Sequence, residues 1–108
     1  METKMLIARL RDKRRTAYNV ALRQSLCYYL YNEDIPCLVI ADVLGITERY
    51  VYKSIYSTKD HLEVGDKTTQ RCMEEMNGRI YHIKPIKVDG VVFSKSIGHK
   101  LVIDNIIL

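Results

Sequence analysis

The 108-residue chain has no tryptophan, one phenylalanine, two prolines and five glycines, and its three cysteines are an odd number. Each scarcity excludes something. Few prolines and glycines rule out collagen-like repeats and low-complexity linkers. Cys27, Cys37 and Cys72 are widely spaced, form no Cys-x-x-Cys pair and show no metal-ligand spacing to His61, His82 or His99. They read as reduced, mostly buried thiols in a cytosolic setting, with no metal expected. No apolar run approaches the ~20 residues that span a bilayer. The N-terminus alternates apolar residues with charges, unlike a secretory leader. A Gly-rich phosphate loop, a carboxylate pair and a useful Cys/His/Asp grouping are also missing, so neither an enzyme nor a bound cofactor is expected.

What is present is an ordinary hydrophobic fraction, 47%, and an excess of cations, 17 Lys and Arg against 13 acids. That size fits one compact domain. The formal charge of +4 and a pI near 9.0 favour approach to a polyanion without identifying one. Position says more than the total. Arg9, Arg11, Lys13, Arg14 and Arg15 crowd into one segment with Asp12 the only acid among them. Such a cluster can neutralise phosphates and release their counterions, or it can be a solvated helix end whose cations suit the C-terminal dipole.

The most informative stretch runs from Ile35 to Ile55. Pro36 suits a first helical position. Ala41 is small enough for a close helix crossing, and Gly45, four residues later, tolerates a left-handed turn. Thr47 can cap a second helix, and Val51 and Ile55 supply its inward anchors at helical spacing. In that order the features read as a helix-turn-helix over residues 35–57, whose second helix enters the DNA major groove. The alternative is an αα-hairpin in a helical core.

Around the motif, a short helix from about Thr3 to Arg11 would bury Leu6, Ile7 and Leu10. A stronger helix from about Ala17 to Tyr31 carries Tyr18, Leu22, Leu26 and Leu30 at every fourth position, widened by Tyr29. The motif's second helix is expected to end near Ser57 or Thr58. After Gly65, Asp66 can cap a further helix with Cys72, Met73 and Met76 on its apolar face, stopped by Asn77-Gly78. From Arg79 the composition turns to β-branched and aromatic residues. Tyr81 and Ile83 would share one strand face, with Ile80, His82 and Lys84 on the other. Asp89-Gly90 is a two-residue hairpin signal, with Val91, Val92 and Phe93 as the return strand. Ser94 to Gly98 reads as a second turn and Leu101-Val102-Ile103 as a third strand. Pro85 puts its strand at an edge or a bulge. The expected fold is mainly α: a helix-turn-helix bundle (1–77) followed by a short C-terminal antiparallel β-hairpin or meander (78–108), an α+β arrangement. Ile106, Ile107 and Leu108 should dock on the helices or meet a second copy, and a homodimer through the C-terminal strands would also suit paired half-sites.

The chain resembles the C-terminal DNA-binding domain of the bacterial replication initiator DnaA over roughly residues 6–77. The resemblance rests on Lys13-Arg14-Arg15, Arg23-Gln24, Tyr28 or Tyr29 with Leu30, Ile35-Pro36, Ile40, Asp42 and Leu44-Gly45. The family's Gly-Arg-Asp-His-Thr-Thr is absent; Ile46-Thr47-Glu48-Arg49-Tyr50 stands there and is one residue shorter. Ala21 occupies the place of the arginine that the family sends into the minor groove, and Leu22 that of the following proline. No ATPase module is present. The resemblance implies a helical DNA-binding fold, in a bacterial or phage-type cytoplasm, and not the initiator's own target.

On this reading the partner is double-stranded DNA. The candidate DNA-binding residues are Lys13, Arg14, Arg15, Arg23, Thr47, Glu48, Arg49, Tyr52, Lys53 and Tyr56. Arg49 is the best base reader, through bidentate bonds to guanine O6 and N7, and Glu48 can accept from cytosine N4 or serve the helix dipole. Tyr52 can meet thymine methyls or phosphate, while Lys53 and Tyr56 reach the backbone. Alternatively, Tyr52 and Tyr56 pack on the C-terminal strands. The rival function is a protein-interaction adaptor that uses the helical core and the apolar C-terminus.

Overall fold

Residues 1–87 and 97–108 are described by the structure, a computed structural model. Five helices, α1 (Thr3–Arg11), α2 (Ala17–Asn32), α3 (Cys37–Leu44), α4 (Glu48–Glu63) and α5 (Lys67–Met76), precede strands β1 (Tyr81–Lys87), β2 (Ile97–Ile103) and β3 (Ile106–Ile107). This is the mainly helical α+β arrangement that the periodicity predicts.

α2 lies at the centre and packs against each of the other four helices. Its stripe of Leu22, Leu26 and Leu30 is fully buried, while Tyr18 and Tyr29 pack at the margin of the core. Thr16 caps it, its hydroxyl accepting from the Asn19 N–H at 3.2 Å, which satisfies one of the orphan donors of the first turn. α1 buries Leu6, Ile7 and Leu10 as its spacing predicts.

α3 and α4 are joined by Gly45, Ile46 and Thr47 alone. Gly45 sits at φ 65°, and the Ile46 N–H returns to the Ala41 carbonyl at 3.0 Å, closing α3 by a left-handed cap. Pro36 is the residue before the helix rather than its first residue, because its ψ of 143° is extended. α4 is longer than expected. It runs through Lys59, Asp60 and His61 to Glu63, since nothing between Ser57 and Glu63 breaks a helix; the stop is Gly65 at φ 73°. Asp66 caps α5 as expected, accepting from the Thr69 N–H at 2.9 Å and its hydroxyl at 2.7 Å.

The strands form an antiparallel sheet in the order β1-β2-β3, with Tyr81 opposite Ile103 and Lys87 opposite Ile97. This corrects the expected topology. Leu101-Val102-Ile103 is the direct partner of β1, not a third strand, and Ile97-Gly98 belongs to β2 rather than to a turn. The expected turn Asp89-Gly90 and return segment Val91 to Phe93 lie outside the described residues. Pro85 occupies the edge strand, in register with His99 and without a bulge, where its missing N–H costs no ladder bond. Leu101 and Ile103 are fully buried in the same core as the α2 leucines.

Asp104-Asn105 forms the β2–β3 turn. Both residues have positive φ, 47° and 69°, as a type I′ hairpin requires. Asp104 is also a clasp. Its carboxylate accepts from the Ile80 N–H at 2.8 Å and from the Thr3 hydroxyl at 2.7 Å, tying the sheet to α1. These bonds, with Arg79 nearby, hold its pKa below the ordinary value. A depressed carboxylate pKa stabilises the fold above the unfolded value of about 3.9, and the contribution is lost as pH falls through the folded value. Acid titration of the wild type and Asp104→Asn followed by circular dichroism is expected to show less pH dependence below about pH 4 in the variant. Curves of equal slope would dismiss the clasp.

Candidate nucleic-acid interface

Two segments far apart in sequence meet at the front of α4. Lys13, Arg14 and Arg15 line an open cleft of about 380 Å³ together with Asn19, Val20 and Arg23 of α2 and with Ile46, Thr47 and Tyr50. Four of the expected basic residues, and Thr47, therefore share one concavity. Thr47 is the cap of α4, its hydroxyl accepting from the Tyr50 N–H at 3.1 Å. The positive end of the α4 dipole thus adds to the cations.

The four cations are not equivalent. The Arg14 guanidinium grips Asp12 through Nε at 3.1 Å and Nη2 at 2.8 Å, and the Asp12 carboxylate also accepts from the Arg14 backbone N–H at 3.0 Å. This hydrogen bonding holds the Asp12 carboxyl well below the usual carboxylate range. Arg23 is half-buried and donates to the Leu10 carbonyl at 3.2 Å, so it satisfies the C-terminal end of α1 while facing the cleft. Lys13 and Arg15 are exposed and, among the described residues, have no carboxylate partner.

On α4, Val51, Ser54, Ile55 and Thr58 turn inward. Arg49 and Lys53 are exposed on the opposite side, beside the half-buried Glu48. Tyr52 and Tyr56 are exposed. Among the described residues they do not pack on the C-terminal strands; they line a cavity of about 260 Å³ with Tyr28, Tyr31 and Asn32 of α2 and with Ile55 and Lys59. A hydrogen bond with the Cys37 thiol raises the Tyr52 pKa.

α3 is held from behind by the sheet. The Asp42 carboxylate accepts from the His99 backbone N–H at 2.8 Å, and its Oδ2 lies 2.9 Å from His99 Nδ1. The cysteines are all buried and free, and burial pushes the Cys27 thiol up to about 12 and that of Cys72 to about 11. Among the described residues no group of His, Cys, Asp or Glu is arranged to hold a metal, and no helix is long and apolar enough to cross a membrane.

Sequence reasoning missed Tyr50, Asn19, Val20 and Ile46 as cleft residues. Asn19 had a signal: it is a polar residue on the inward stripe, three positions before Leu22. Tyr50 had none, because its place at the flank of α4 depends on where the 12–16 loop folds. Compared with protein families, curated proteins and solved structures, the chain matches none.

Proposed function

We propose that this protein is a sequence-specific double-stranded DNA-binding protein, similar to the DnaA C-terminal domain, and acts as a small regulator of transcription or replication. The observation that carries this reading is the meeting of the Lys13–Arg15 loop with the capped N-terminus of α4. In this reading α3 and α4 are a helix-turn-helix, α4 enters the major groove, and the loop reaches the flanking backbone. Lys13, Arg15 and Arg23 meet phosphates, while Arg49 and Glu48 face base edges. Lys53 follows along the same face of α4.

Titration against a pool of random duplexes at two salt concentrations tests the reading. Binding that weakens at the higher salt is expected, because each phosphate contact releases counterions. Absence of binding at low salt would falsify it.

Asp12 acts as an internal competitor for Arg14. Phosphate must displace a carboxylate that already satisfies the guanidinium in a two-point grip. Asp12→Asn keeps an acceptor for the Arg14 N–H and removes the charge. It is expected to tighten binding to every duplex alike and to steepen the salt dependence by about one phosphate equivalent. Unchanged affinity and slope would show that Arg14 is not used.

The adaptor reading draws support from the tyrosine-lined cavity and from exposed Leu38, 67%, and Tyr56, 65%. A homodimer through the C-terminal strands has less behind it. Leu101, Ile103, Ile106 and Leu108 pack into this chain's own core. Edge strand β1 carries Pro85, Lys84 and Lys87, residues that discourage pairing between edges. Sedimentation of the intact protein is expected to show a monomer; a stable dimer at micromolar concentration would restore the strand-paired arrangement.

A further inference from the structure

Four of the eight tyrosines meet in a groove between α2 and α4, which shares no lining residue with the basic cleft. The two helices run antiparallel there. The Ser57 hydroxyl donates to Gln24 Oε1 at 3.5 Å, whereas Tyr52, earlier on α4, is hydrogen-bonded to the Cys37 thiol beyond the end of α2. Tyr28 and Tyr31 therefore come from one side and Tyr52 and Tyr56 from the other, around about 260 Å³. Tyr31, Tyr52 and Tyr56 are exposed, as is Leu38 next to Cys37. A shallow depression lined by Asp34, Ile35 and Pro36 shares Tyr31 and Asn32 with the groove and prolongs it. Exposed apolar and aromatic residues gathered in one patch mark an interaction surface.

The chemistry of the two sides selects the occupant. Both are helices, whose backbone groups are paired internally, so no strand can be added here. A partner helix has its own carbonyls paired in the same way and would leave the tyrosine hydroxyls unanswered. The groove is rich in donors: the hydroxyls of Tyr28, Tyr31 and Tyr56, the Asn32 amide and the Lys59 ammonium. An extended proline tract is the converse. Its rings are apolar, its carbonyls are free because polyproline II has no internal hydrogen bonds, and it brings no N–H of its own. Aromatic-lined grooves that dock such segments exploit this match and the low entropy of the preformed helix. Charge adds a direction. Lys59 stands at the Tyr56 end of the groove, and Asp34 lies at the other end, past Tyr31. From Tyr52 to Lys59 is about 10 Å along α4, the length of about three residues of polyproline II.

We infer that this groove docks a proline-rich segment of a partner protein in the polyproline II conformation, with an acidic residue facing Lys59 and a basic residue facing Asp34. Proline rings lie against the tyrosine faces, and the hydroxyls and the Asn32 amide donate to the segment's carbonyls. The groove uses neither Arg49 nor the basic cleft, so the inference goes beyond DNA binding and does not rest on it.

Fluorescence-anisotropy titration of the full chain uses three labelled peptides of equal length. One is a run of prolines between a glutamate and an arginine; one has glycines in place of the prolines; one is alanine-rich and helical with the same end residues. The proline peptide is expected to saturate, on the order of tenfold tighter than the glycine peptide, which lacks the preformed conformation. Tyr31→Ala and Tyr56→Ala, both at exposed positions, should each weaken it on the order of tenfold, with the fold checked by circular dichroism. Lys59→Gln should weaken it too, but not a version whose glutamate is replaced by glutamine. Equal binding of the proline and glycine peptides, preference for the helical peptide, or no saturable binding overturns the proposal. Self-association that Tyr31→Ala abolishes also overturns it and gives the groove to a second copy.

The same samples titrated with duplex separate this surface from the basic cleft. A protein that binds duplex but no proline peptide loses the docking groove and keeps the DNA reading. One that binds the proline peptide and no duplex keeps the groove and loses the DNA reading.

Discussion

Leu101→Ala is expected to destabilise the entire protein by about 2–5 kcal/mol, the range for removing a buried leucine and leaving a cavity. Leu101 is on β2, but its side chain is fully buried in the core that holds Leu22, Leu26 and Leu30 of α2. The Leu108 N–H donates to the Leu101 carbonyl at 2.8 Å, and the Asp42 carboxylate receives the neighbouring His99 N–H at 2.8 Å. The sheet is thus part of the helical core rather than an appendage to it. Urea unfolding followed by circular dichroism for the helices and by tyrosine fluorescence should give a single midpoint, shifted equally for both probes. If the helical midpoint stays where it is and only the fluorescence changes, the sheet is energetically separate. Val102→Ala is the control, since Val102 is only half-buried and should cost less.

That coupling also explains which parts of the fold the sequence could disclose. Local chemistry set the helix starts. Thr16, Thr47 and Asp66 each accept from the N–H three residues on, and short-range capping of this kind is visible in any sequence. Gly45, Gly65 and Gly78 stop helices because each has positive φ. The end of α4 was harder, since a helix without a breaker continues until its neighbours or a glycine stop it. Strand pairing was the least legible. Asp89-Gly90 is a strong local hairpin signal, yet the pairing of β1 with 97–103 places Leu101 and Ile103 on the core, a long-range matter. The Asp104-Asn105 turn, by contrast, carries a local signal, two residue types that tolerate positive φ, though it sits in a short and strongly apolar C-terminal segment. In the candidate site, the cations and Thr47 were legible by type. The grip of Asp12 on Arg14 and the place of Tyr50 were not, because both depend on how the 12–16 loop folds against α2 and α4.

Arg49→Ala and Arg15→Ala are expected to fail in different ways if α4 reads bases and the loop holds the backbone. Arg49 is exposed, in the first turn of a helix whose cap and inward anchors fix its direction. Its loss should cost about 1–3 kcal/mol on the preferred duplex and relax selectivity at one base position, because a bidentate guanidinium contact discriminates guanine. Arg15 lies in the cleft wall with no carboxylate partner among the described residues. Its loss should weaken all duplexes alike and lower the salt slope by about one unit. Arg14→Ala combined with Asp12→Asn should do less than Arg15→Ala, because the gripped pair is removed without leaving a bare carboxylate beside the phosphates and no unpaired cation is lost. Selection of bound sequences from a random pool, repeated for each variant, together with salt titrations on the preferred site, distinguishes these outcomes. Unchanged selectivity in Arg49→Ala would remove α4 as the reading helix. An equal loss in that double variant and in Arg15→Ala would mean that Asp12 releases Arg14 without cost when DNA arrives.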